Sequence, residues 1–93
     1  MAVPDDLDTI DLPKASGRVE LPLHIRWSHP PVVYDLDDRS DLIRVYEQVL
    51  REGTEDDVRY YIRPQLLASV WRELVLPTYV RKAWAGWFLA HPA

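Results

Sequence analysis

Between residues 41 and 62 the chain alternates between apolar and polar positions with the period of a helix. At 100° per residue, Leu42, Ile43, Val45, Tyr46, Val49 and Leu50 fall within an arc of roughly 160°. Asp41, Arg44, Glu47, Gln48, Arg51 and Glu52 fill the other side. This pattern predicts a one-sided amphipathic helix. Its start is acidic, with Asp35, Asp37, Asp38 and Asp41 near the positive end of the helix dipole. Ser40, Asp38 and Asp37 are each candidates for the N-cap. Glu47 stands four residues before Arg51, the favourable order for an ion pair along a helix. Gly53 then suits the left-handed position that ends a helix. Thr54 and Asp57 have capping-box spacing for a second, shorter helix. The inward face of that helix is Val58, Tyr61 and Ile62.

Other stretches carry different periods. Leu21, Leu23, Ile25 and Trp27 alternate with Pro22, His24 and Arg26, as in a strand with one buried face. Pro22 restricts that strand to an edge or a first position. Residues 28–31 read as a turn, and residues 32–36 as a second short strand, which makes a hairpin. Such a hairpin needs helices to cover its apolar face. Pro64 fits the first turn of a further helix, whose stripe is Leu66, Leu67, Val70, Trp71 and Leu74. Pro77 closes a linker, and the last helix runs from about residue 78 to 90, with Thr78 as a candidate cap. Its stripe is Val80, Trp84, Trp87 and Phe88, with Tyr79 and Leu89 outside it. The expected fold is therefore α+β: a short N-terminal β-hairpin packed on a bundle of three to four helices. The domain spans residues 21–93. Residues 1–20 hold five acids and few large apolar residues, and are expected as a flexible acidic arm.

The totals narrow the function. Ninety-three residues make one domain. Cysteine is absent, so no disulfide framework and no zinc–thiolate site can form. No apolar run is long enough for a membrane span, and the N-terminus lacks a signal-peptide pattern. A cytoplasmic location is expected. The net charge of −4 is unevenly distributed. Residues 1–57 carry 14 acids and 6 bases, or −8; residues 58–93 carry one acid and five bases, or +4. Segregation of this kind marks either an interaction surface or mutual neutralisation within the fold.

No catalytic constellation emerges. Asp35, Asp37 and Asp38 have the spacing of paired metal-binding carboxylates, but no glycine-rich phosphate loop accompanies them, and capping a helix is the better account. His24, His29 and His91 lack metal-ligand spacing. The serines sit in no nucleophile elbow. The expectation is a non-enzymatic protein without metal or cofactor. Trp84, Trp87 and Phe88, with Tyr79 and Arg81 beside them, have the composition of an interface hot spot; the same spacing also describes a helix core, where Trp71 and Trp84 are expected. Leu7, Ile10 and Leu12, set between acids, would suit a segment that orders on a basic partner. Two other readings stand beside protein binding. Arg59, Arg63, Arg72, Arg81 and Lys82 near a helix-turn-helix would suit a DNA-binding regulator, although they are spread over three helices. Alternatively, the chain would bury its aromatic face by self-association.

Three stretches add a resemblance: LPLHIRWS at 21–28, VYEQVLREGTEDDVRYYI at 45–62 and LVLPTYVRKAWAGWF at 74–88. They resemble a group of small actinobacterial proteins encoded beside nucleotidyltransferase-like toxins, the antitoxin half of such pairs. The likeness covers most of residues 21–90 and leaves out residues 1–20. It implies a protein that binds its partner and keeps it inactive. An enzyme acting on polyanionic substrates has a basic cleft, which an acidic partner with an apolar anchor suits. On that reading Asp35, Asp37 and Asp38 would help to steer the encounter.

Overall fold

The computed structural model describes residues 3, 4, 7, 14–26 and 32–90. Two short strands, β1 (Arg18–Glu20) and β2 (Val33–Asp35), precede four helices: α1 (Arg39–Glu52), α2 (Glu55–Tyr61), α3 (Pro64–Val70) and α4 (Thr78–Ala90). A 3₁₀ turn, Trp71–Glu73, follows α3. The strands pair antiparallel, with Arg18 opposite Asp35, Val19 opposite Tyr34 and Glu20 opposite Val33. The fold is thus the expected α+β arrangement of a hairpin on helices.

The hairpin is built from a different first strand. Residues 21–26 form no strand, because the Pro22 carbonyl accepts from the N–H groups of both Ile25 and Arg26 at 3.0 Å and bends the chain. Ile25 is buried while Leu23 is 70 % exposed, so the alternation does not map onto two faces. Trp27 and the expected turn at 28–31 lie outside the described residues. The first strand instead lies within the segment expected as an arm. Gly17 turns the chain into it with φ of 68°, a left-handed conformation that suits glycine. Its carbonyl accepts from Leu36 N–H at 2.8 Å.

Other parts of residues 1–20 also pack on the helices. Leu7 and Ala15 are buried. Ala15 N–H donates to the Tyr60 carbonyl at 2.8 Å, and Lys14 Nζ donates to the carbonyls of Arg59 and Ile62 at 2.5 and 2.7 Å. These carbonyls lie at the C-terminal end of α2, where a cation complements the helix dipole.

α1 forms the centre. Asp38 is its N-cap and accepts from Asp41 N–H, which decides among the three candidates. Leu42, Val45, Tyr46, Val49 and Leu50 are buried as the periodicity requires, and Ile43 is half-buried. Glu47 does not pair with Arg51; its carboxylate accepts from Val75 N–H and so fastens the linker before α4. Gly53 ends the helix, but with φ −78° and ψ 158°, not in the left-handed conformation. Glycine is required there for space. A Cβ would lie 2.6 Å from the Val49 carbonyl oxygen and 3.1 Å from Asp57 Cβ. Thr54 and Asp57 complete the capping box of α2. Val58, Tyr61 and Ile62 are buried beneath it. Arg63 N–H donates to the Tyr46 hydroxyl at 3.0 Å, tying the start of α3 to α1. Among the described residues, no helix is long and apolar enough to cross a membrane.

Candidate partner-binding surface

α4 separates its aromatic residues by face. The Pro77 carbonyl accepts from Val80 and Arg81 N–H at 3.0 and 3.2 Å, so Pro77, not Thr78, stands at the cap position. Val80 and Trp84 are fully buried and Trp87 is 7 % exposed. Trp84 and Trp87 lie with ring centroids 5.7 Å apart, and Phe88 meets Trp87 and Trp71 edge-on at 5.3 and 5.0 Å. This geometry is the favourable one for aromatic pairs. Trp84 lies in the core, where it was expected, the interface candidate Trp87 lies there too, and Trp71 and Phe88 are half-buried. Arg81 lies over the Trp71 ring at 5.2 Å and donates to the Leu74 carbonyl, so its guanidinium is held by its own chain.

The opposite face of α4 points to solvent. Tyr79 is 61 % and Leu89 85 % exposed, and Lys82, Ala85, Gly86 and Ala90 are exposed between and beside them. Val75, just before the helix, is 78 % exposed. The two residues that fell outside the apolar stripe in the sequence are thus the ones that reach water. α1 is built differently, exposing Arg39, Ser40, Arg44, Arg51 and Glu52.

The acidic candidates serve local structure. Asp38 caps α1, Asp35 accepts from Asp37 N–H at 2.9 Å, and Asp41 accepts from Asp35 N–H at 3.0 Å. Asp37 and Asp38 remain exposed, and among the described residues no basic side chain pairs with them. Leu7 is in the core, while Ile10 and Leu12 lie outside the described residues. Of the five bases in residues 58–93, Arg59 pairs with Asp56 and Glu55 at 2.9 and 3.4 Å, and Arg63 donates to the Ala15 carbonyl at 3.5 Å. Arg81 is held as described, leaving Arg72 and Lys82 exposed.

Two polar contacts escaped the sequence pattern, because each joins residues distant along the chain. His24 Nε2 lies 2.6 Å from Asp57 Oδ2, which also accepts from Thr54 N–H at 2.8 Å. Burial pushes the Asp57 carboxyl up, but the hydrogen bonds from His24 and Thr54 outweigh it and hold the group below the ordinary carboxylate range. Gln48, buried on α1, accepts from Arg26 at 3.2 Å and donates to the Tyr34 hydroxyl at 3.3 Å. Arg26 and Tyr34 border an open groove of about 340 Å³, lined also by Leu21, Leu23 and Val32.

No family model, curated protein or solved structure matches this chain.

Proposed function

We propose that this chain is a non-enzymatic protein-binding module of the antitoxin type, which binds a nucleotidyltransferase-like toxin and neutralises it. The observation that carries the binding reading is the set of large apolar side chains left outside the core. Val75, Tyr79 and Leu89 project from α4 and its approach, although the same segment buries Leu74, Val80, Trp84 and Trp87. Apolar surface on a helix face, with few charges around it, is what a protein contact uses. The toxin as partner follows from the resemblance of residues 21–90. The exposed Asp37 and Asp38 at the start of α1 suit an approach to a basic cleft. A DNA-binding role draws less support, since three of the five bases in residues 58–93 already bond to carbonyls or carboxylates of the chain itself.

The test is co-expression of the protein with a nucleotidyltransferase-like toxin of the class that the resemblance implies, followed by capture at about 0.3 M salt, where charge-only contacts are screened. Restored growth and a stoichiometric complex are expected. Growth arrest despite equal expression, or bound DNA without a protein partner, overturns the reading.

A further inference from the structure

Four of the exposed residues of α4 share one face. Tyr79, Lys82, Gly86 and Leu89 follow one another at intervals of three, four and three, the spacing of the a and d positions along a helix–helix seam. All four are exposed. Beside them stand Ala83, Ala85 and Ala90, so the seam has low shoulders on both sides. Gly86 adds to this. A glycine inside a helix costs about 1 kcal/mol relative to alanine. A Cβ at Gly86 would meet nothing within 4 Å, so no contact within the chain requires glycine there. Close approach from outside would use it.

The charge of the face selects the occupant. α4 contains Arg81 and Lys82 and no acid. Among the described residues, Lys82 has no ion-pair partner. Just before the helix, Arg72 is exposed beside Glu73, whose carboxylate pairs with Arg39. A second copy of the chain docked through the same face would set two α4 helices against each other, each with basic residues and no acid, which opposes association. A partner helix with carboxylates along its seam meets Lys82 with opposite charge. We propose that Tyr79, Lys82, Gly86 and Leu89 form the docking seam for one acidic amphipathic helix of a partner protein. Tyr79 and Leu89 supply the apolar anchors at the two ends, Lys82 sets charge preference, and Gly86 sets the closeness of approach. This inference rests on the protein-binding reading above and specifies the surface.

The test uses the full chain and a fluorescent helical peptide of about three heptads, with leucine at a and d and glutamate at e and g. Its twin carries lysine in place of glutamate. Anisotropy titration should show the glutamate peptide binding at least tenfold more tightly. The double variant Tyr79→Ser/Leu89→Ser should lose at least tenfold in affinity with an unchanged circular dichroism spectrum, and Lys82→Glu should reverse the preference between peptides. Equal or absent binding of the two peptides, or a double variant that binds like wild type, overturns the proposal. So does a dimer of the chain in sedimentation that dissociates on the same double substitution. The two readings fail separately. If the peptide binds through the seam but co-expression gives no neutralisation, the antitoxin reading falls and the seam stands. If neutralisation holds and the double variant neutralises equally well, the seam falls and the antitoxin reading stands.

Discussion

Two glycines make opposite demands on the same kind of element. Gly53 leaves no room for a side chain, since a Cβ would press on the Val49 carbonyl at 2.6 Å. Gly53→Ala should therefore destabilise by about 1–3 kcal/mol, the range for overpacked sites, visible as a lower urea midpoint. Gly86 has open space around the same atom, so Gly86→Ala should stabilise by about 1 kcal/mol and raise the melting temperature by about 4–8 °C. If Gly86 serves the seam, that gain comes with weaker binding of the acidic helical peptide. The sequence marked Gly53 as a stop but not why glycine is needed, because close approach of Val49 and Asp57 is a property of the folded turn. At Asp57, the hydrogen bonds from His24 and Thr54 hold the folded carboxyl below its unfolded value. A depressed folded pKa contributes stability that is present above the unfolded pKa, near 3.9, and is lost as pH falls through the folded pKa. Asp57→Asn should remove this contribution at neutral pH and flatten the acid limb of the stability curve, as read by urea unfolding between about pH 2 and 6.

At the scale of elements, α1 and α2 were legible because their signals are local: a wide apolar arc, a cap and a capping box lie within a turn or two of the residues they organise. The first strand was not legible. Three residues carry no usable period, and β1 exists because Gly17 and Leu36 bring it to β2. The alternation at 21–27 pointed to a strand, yet the Pro22 carbonyl turns the chain back within three residues. Composition misplaced the start of the packed body for a similar reason. Residues 1–20 hold few large apolar side chains, but Leu7 is among the most buried in the molecule and Lys14 bonds the end of α2. The consequence is measurable. Leu7→Ala should cost about 2–5 kcal/mol, the range for a buried leucine, where a substitution in a solvated tail would cost nothing. An unchanged unfolding midpoint would show that this residue does not support the core in solution.

At the scale of the molecule, the tryptophan-rich end poses the question that the sequence left open, because helical spacing describes a core and an interface equally well. The fold divides the two. Trp84 and Trp87 face inward, and Tyr79 and Leu89 face outward. The choice of variant therefore decides what a binding assay reports. Trp87→Ala removes a buried aromatic and should cost about 3–5 kcal/mol, a large part of the stability of a domain this size. Loss of partner binding in that variant would reflect unfolding as readily as a lost contact. Tyr79→Ser with Leu89→Ser removes exposed side chains, and each such surface change typically alters stability by less than about 0.5 kcal/mol. Thermal unfolding of the double variant should nearly overlay that of the wild type while capture of the partner falls. The salt response separates the classes further. Binding anchored on Tyr79 and Leu89 should weaken only modestly between about 0.1 and 0.3 M salt, since the apolar contact is unscreened and Lys82 is the seam's single charge. Nucleic-acid binding through Arg72 and Lys82 would instead weaken log-linearly with salt, with a slope set by the number of phosphates contacted. A steep slope, together with no effect of the double variant, would transfer the functional surface from the apolar seam to the basic residues.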